Sequence, residues 1–203
     1  MEHLIDVYPG DTGGLLEAIP HFCSVQAQRC LERGIRVWKF PISHVALRTR
    51  TWRDYIVWRD ALEPLCSGNL ENVWNGRPIS KLMLVDQPVV TAPHDSSVQR
   101  VPLIELIPPF HQRVYRMGLE HVGYVVGDGV DAFGRLHHEE LTGQQFQGPV
   151  NSPYYALFPD YTHVKFYRWS LGEVCIREGN SFRGFSHADW QPADDLAGPY
   201  ESS

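Results

Sequence analysis

Two short stretches constrain the fold most. Ile42-Ser43-His44-Val45-Ala46-Leu47-Arg48-Thr49 and Gly118-Leu119-Glu120-His121-Val122-Gly123-Tyr124-Val125-Val126 both run apolar and β-branched around a His-Val pair, and Gly127 ends the second. Both read as strands. His121 lies 77 positions after His44. Similar signals follow each stretch, so the chain reads as two halves of one plan, although identity between the halves is poor outside His-Val.

In the first half, Thr51-Trp52-Arg53-Asp54 reads as a variant helix cap, and Tyr55, Trp58, Leu62 and Leu65 give that helix its apolar face. Gly68 stops it. Strands are expected over 72–74, 78–85 and 98–107, with a turn at Asn75-Gly76 and a polar loop over 86–97. In the second half, Asp128 is a cap for a helix over 130–141. Residues 143–153 read as loop or weak strand. Residues 154–158 and 162–169 read as a hairpin around Pro159-Asp160. Each half therefore reads β-α-β-β-β.

Asp11 to Gly14 offer a cap for an N-terminal helix, in which Leu15, Ile19, Phe22, Cys23, Ala27 and Cys30 recur at helical spacing. Pro20 allows a start at that residue instead. Ser170-Leu171-Gly172-Glu173 is a capping box for a helix over 171–178. The tail from Gly179 is polar and irregular, expected to be partly disordered. The expected organisation is a single domain over 1–203. It comprises a helical lead-in (1–38), a first module (39–110), a second module with a C-terminal helix (118–178) and an irregular tail (179–203).

The chain's 203 residues suffice for a substantial core, and 43% hydrophobic with 21% charged residues is ordinary for a globular protein. A formal net charge of −6 with scattered basic residues carries no nucleic-acid footprint. The N-terminus lacks the regions of a signal peptide, and no apolar run is long enough to span a membrane. The expectation is a cytoplasmic protein, monomer or homodimer, with a small-molecule substrate, no nucleic acid and no membrane. Cys23 and Cys30, seven apart on one helix, would sit roughly 10 Å from each other, too far for a disulfide. With no CxxC present, the four cysteines read as reduced core residues.

Strand side chains alternate between faces. That puts Val45 and Leu47 on one face and His44 and Arg48 on the other. Glu105 opposes Ile104 and Leu106, His121 opposes Val122 and Tyr124, and His163 and Lys165 oppose Val164 and Phe166. The apolar face suits packing under helices. The other collects His44, Glu105, His121 and Lys165, groups that must be paired, metal-bound or solvated in a cavity. Two histidines and one carboxylate match a facial triad that leaves positions open on Fe(II), and similar sets hold Mn(II), Ni(II) or Zn(II). Histidines hydrogen-bonded within a core remain the alternative. Arg48 suits a substrate carboxylate or a structural ion pair, and His163 a place at the rim of the site. His94, His111 and His187 fall in loops and receive no role.

The segments ISHVALR, WNGRPISKLML, LIELIPPF, GLEHVGYVV and HVKFYRWSLGEV resemble the YecM-like proteins, over about residues 15–178. That resemblance implies the glyoxalase/bleomycin-resistance fold of the vicinal oxygen chelate superfamily. The expected fold class is α+β: two βαβββ modules forming a curled mixed sheet around a central cavity, with an N-terminal helix. The resemblance makes His44 and Glu105 the metal ligands of the first module and His121 the first ligand of the second. Lys165 falls near the fourth ligand position, and a protonated lysine does not bind metal. It leaves three readings: a metal with three protein ligands, a Lys165–Glu105 ion pair in place of metal, or a lysine that holds an anionic substrate or acts as catalytic base. The expected function is a divalent-metal enzyme acting on a small oxygen-bearing molecule. Fe(II) oxygenase chemistry is placed ahead of isomerase or epimerase chemistry, and a metal-free binding protein is the rival. Substrate binding is expected from Arg48, Lys165 and His163.

Overall fold

A computed structural model describes residues 7–74, 76–92, 97–109 and 117–190. Asn75, His94 and His111 lie outside these, as do 1–6 and the tail beyond 190. In chain order the elements are α1 (Thr12–Glu32), β1 (Ile42–Arg48), α2 (Trp52–Leu62), β2 (Cys66–Trp74), β3 (Arg77–Leu84), β4 (Val89–Thr91), β5 (Val98–Arg100), β6 (Leu103–Ile107), β7 (Gly118–Val125), α3 (Val130–Leu136), β8 (Gly143–Gln144), β9 (Tyr154–Leu157), β10 (His163–Tyr167), α4 (Leu171–Arg177) and β11 (Gly184–Ser186).

Among the described residues nine strands form one mixed sheet, in the order β11-β2-β3-β6-β1-β7-β10-β9-β8. The order mirrors about its centre. β1 pairs in parallel with β6, β7 pairs in parallel with β10, and β1 meets β7 antiparallel. Each module thus lays its first strand beside its last, and the two first strands form the seam. On one face α1, α2 and α3 bury Leu15, Ile19, Phe22, Tyr55, Trp58, Leu62 and Phe133 against Val45, Leu47, Ile104, Leu106, Val122, Tyr124, Val164 and Phe166. The alternation expected from the sequence is realised there. The opposite face carries the polar groups around the small cluster Ala46, Ile79 and Ile107.

Local signals account for most boundaries. Asp11 caps α1 by accepting from the Gly14 N–H, and Pro20 lies within the helix rather than at its start. Thr51 with Asp54, and Ser170 with Glu173, form reciprocal capping boxes on α2 and α4. Other boundaries differ from expectation. The strand expected over 98–107 is divided at Val101-Pro102, where proline has no N–H to donate, into β5 and β6. β5 pairs with β4, inside the expected loop, as a separate ribbon. β2 begins at Cys66, well before 72. α3 stops at Leu136, and Asp128 lies in the short turn before it with no capping hydrogen bond.

The tail departs furthest. β11 adds a parallel edge to β2, and Gly68 allows it: a Cβ there would lie 2.9 Å from the Phe182 carbonyl oxygen. The Ala188 N–H donates to Glu71, and Trp190 packs on Trp52 at 4.8 Å and donates to the Gly76 carbonyl. The four cysteines are free and buried. No helix among the described residues is long and apolar enough to cross a membrane.

Candidate metal centre

At the seam the polar face closes around three side chains. His44 Nε2 and His121 Nε2 are 3.2 Å apart, and Glu105 Oε2 lies 3.6 Å from the first and 3.2 Å from the second. Three donors each about 2.1 Å from one ion and at right angles would be about 3 Å apart, so this triangle suits one face of a coordination sphere. His44, Glu105 and His121 come from β1, β6 and β7, the three adjacent strands at the centre of the sheet.

Two irregularities of the seam orient the rings. Ile42 pairs with Tyr124 and His44 with Gly123, so Ser43 is an extra residue on β1. Ala46 pairs with His121 and Leu47 with Leu119, so Glu120 is an extra residue on β7. A bulge brings two consecutive side chains to one side of a strand. Strict alternation would turn Glu120 toward the helices with Val122. The bulge instead sets Glu120 Oε1 3.2 Å from His121 Nδ1. In the matching place, Ser43 Oγ lies 2.9 Å from His44 Nδ1 and accepts from the Leu171 N–H at the start of α4. With Nδ1 turned to the Glu120 carboxylate, Nε2 is the His121 nitrogen that faces the triangle. The residue before each histidine therefore engages its far nitrogen.

Arg48 is committed to the same network. Its Nε and NH2 groups donate to Glu120, and NH1 reaches the Pro108 carbonyl. Glu120, His121 and His163 form a second group at metal-ligand spacing. There the Arg48 cation already occupies the Glu120 carboxylate, so Glu120 serves as a brace. His163 stacks on His121 at 4.7 Å and lies 3.8 Å from Glu120.

Burial pushes His44 down to about 3, a shift that the Glu105 charge opposes. His163 is also held well below its ordinary value, by burial and then by the charges of His121 and Lys165. Burial would raise the Glu105 carboxyl, but a hydrogen bond from His121 and the charges of His121, His44 and Lys165 outweigh it and hold it low. Glu120 follows the same pattern, with Arg48 the strongest opposing charge. Neutral imidazole beside carboxylate is the donor chemistry a divalent cation takes.

Register fixes the place of Lys165. Ala46 pairs with Glu105 across β1 and β6, while Gly123 pairs with Lys165 across β7 and β10. Each partner lies two residues beyond its module's histidine, so Lys165 stands in the second module where Glu105 stands in the first. Lys165 is buried, 6% exposed, and no ion pair joins it to Glu105. Among the described residues no acceptor lies within hydrogen-bonding distance of its ammonium. Burial lowers its pKa, and the Glu105 and Glu120 charges restore part of the loss. Lys165 lines a cavity of about 450 Å³ beside the triad, together with Arg48, Glu105, His121, His163, Trp74 and Tyr155.

The sequence reading brought His44, Glu105, His121, His163, Arg48 and Lys165 to one face, and the structure gathers all six around this cavity or its wall. It missed Ser43, Glu120 and Gly123. A Cβ on Gly123 would lie 2.5 Å from His44 Cε1, so the missing side chain is what admits the imidazole. One signal was available: a polar residue precedes each His-Val pair, Ser43 in one and Glu120 in the other.

Fold and site define the class as an α+β protein of two related modules whose seam holds buried His/Glu clusters positioned to chelate a metal. The chain belongs to the YecM protein family, whose profile matches residues 12–177. A solved structure described as "Structural Genomics, Protein EC4020" is similar at 21% identity and a TM-score of 0.60, over 87% of this chain and 99% of that one. A weaker likeness, with a TM-score of 0.25 and 11% identity over 67% of this chain and 95% of the other, is to a fosfomycin resistance protein. It is a mutant of the genomically encoded fosfomycin resistance protein FosX from Listeria monocytogenes, complexed with Mn(II) and 1S,2S-dihydroxypropylphosphonic acid. No curated protein sequence matches the chain.

Proposed function

We propose that the protein is a metal-dependent enzyme in which His44, Glu105 and His121 hold a divalent cation, Fe(II) first, and that it oxidises a small oxygen-bearing molecule with O2. The observation that carries this reading is the triangle of two imidazole nitrogens and one carboxylate oxygen at 3.2, 3.2 and 3.6 Å. Bound there, Fe(II) would supply the redox chemistry that activates oxygen, and a redox-inert ion would supply Lewis acidity.

The chain's own groups do the rest. Glu120 and Ser43 hold the rings in orientation through their Nδ1 atoms. Arg48 keeps Glu120 ionised. With lysine in the fourth place, three protein groups, His44, Glu105 and His121, would hold the ion, and the cavity beside them would admit substrate. Lys165 meets the substrate from the β10 side and can hold or move a proton there. Trp74, Tyr155, Ile107 and Leu157 give the cavity apolar lining against which a substrate can pack.

The test is reconstitution of metal-free protein with Fe(II), Mn(II), Ni(II) and Zn(II), elemental analysis, and oxygen uptake against a panel of small molecules. One ion per chain, lost in His121→Ala, with Fe(II)-dependent oxygen uptake, is the expected result. Metal binding with isomerisation and no oxygen uptake would replace the oxygenase with a Lewis-acid isomerase. Absence of binding by all four ions would leave a metal-free binding protein.

A further inference from the structure

We propose that the cavity takes a 2-hydroxy or 2-oxo carboxylate with an apolar substituent, its carboxylate anchored by Lys165. This rests on the metal-centre reading and deepens it. The starting observation is Lys165, 6% exposed in the cavity wall and without a hydrogen-bond acceptor among the described residues. Desolvating an ammonium is costly, and neighbours keep such a group only when a counter-charge compensates. Glu105 forms no ion pair with Lys165, and its Oε2 lies against the two histidines. Glu120 is no direct partner either, being held by Arg48 and His121.

The charge of the wall gives the ligand's sign. Arg48 and Glu120 cancel as a pair. Glu105 removes one of the two positive charges of a divalent cation, and Lys165 adds one, so the loaded cavity is cationic until an anion enters. Geometry then selects the anion. Lys165 and Glu105 occupy equivalent places on opposite sides of the seam, with the strands of His44 and His121 between theirs. A carboxylate with an oxygen on the next carbon can span from lysine to metal centre, one carboxylate oxygen toward the ammonium and the vicinal oxygen toward the triad. A phosphate-type dianion collects several strong donors. Among the described residues this wall offers one such cation, since Arg48 is already on Glu120. Ile79, Ile107, Leu157, Tyr155 and Trp74 provide apolar surface for the remainder of the ligand. At about 450 Å³ the cavity is within the usual range for a small-molecule site.

Mandelate and its neutral amide, mandelamide, have the same shape and differ in charge. Calorimetric binding of each to the Mn(II)-loaded protein, and to a Mn(II)-loaded Lys165→Met variant, is the test. The expected result is a loss of at least tenfold in mandelate affinity on the substitution, with mandelamide changed less than twofold and Mn(II) affinity undiminished. Equal loss for both ligands, or no loss for mandelate, overturns the assignment. Tighter binding of α-hydroxybenzylphosphonate than of mandelate overturns the carboxylate class. If Lys165→Met fails to fold by circular dichroism, Lys165→Gln replaces it. If the wild type does not bind Mn(II), the metal reading fails and this inference falls with it. Mn(II) binding with an unchanged mandelate-to-mandelamide ratio in the variant sinks this inference alone.

Discussion

Glu120 and Gly123 are the residues on which the site's geometry turns, and neither is a ligand of the triad. Glu120→Gln keeps the shape but removes the charge that holds both Arg48 and the His121 Nδ1–H. Partners of this kind affect metal affinity by about 10- to 100-fold, so a loss of that size is expected in a Mn(II) titration. Retention of full affinity would show that the bulge does not orient His121. Gly123→Ala drives a methyl group into the His44 ring. Overpacking of this kind costs about 1–3 kcal/mol. We expect an unfolding free energy in urea lowered by that amount and metal occupancy well below one per chain. Normal occupancy in that variant would mean that the site does not depend on the gap at Gly123.

At the level of elements, the two bulges and the added edge strand are where local sequence and tertiary structure part company. Helix starts were legible because their signals are local: Thr51 with Asp54 and Ser170 with Glu173 satisfy backbone groups three residues away. The apolar faces of β1, β7 and β10 were legible because alternation has a fixed period. Bulges break that period, and a bulge depends on the register of the partner strand, which a single strand's sequence does not carry. Glu120 was therefore invisible as a neighbour of His121 on its own face. β11 was invisible for a related reason. Gly184-Phe185-Ser186 has no strand pattern of its own, and β2 recruits it through the gap at Gly68. The β11 segment should therefore support stability. Trp190→Ala removes the packing on Trp52, an aromatic pair worth about 1 kcal/mol, and a drop of that order in urea unfolding is expected. An unchanged midpoint would mean that the tail rests on the sheet without stabilising it.

Across the whole molecule, the buried histidines and carboxylates of the site make stability fall on the acid side. The folded value of His44, about 3, lies below the 6.5 of an unperturbed histidine. The unfolded chain therefore takes up a proton that the folded chain refuses, and stability falls as pH drops from 6.5 toward 3. His163 acts in the same sense. Glu105 and Glu120, both held below 4.5, add a second loss as pH falls through and below that value. Metal-free protein should lose stability between pH 7.5 and 5.5, by at most about 1.4 kcal/mol per pH unit for each such group, and more steeply below 4.5. Urea midpoints at pH 7.5, 5.5 and 4.0 would show it, and a flat profile between the first two would contradict neutral burial of the histidines.

The mirrored strand order has a further consequence. A pocket shared equally by two copies of one plan presents the same surroundings to either end of a guest. Exchange of a carboxylate for an ammonium between Glu105 and Lys165 gives the pocket a head and a tail. A guest with two chemically different ends then has one way to sit, and a reaction there can be directed to one end of the guest or to one hand of a chiral product.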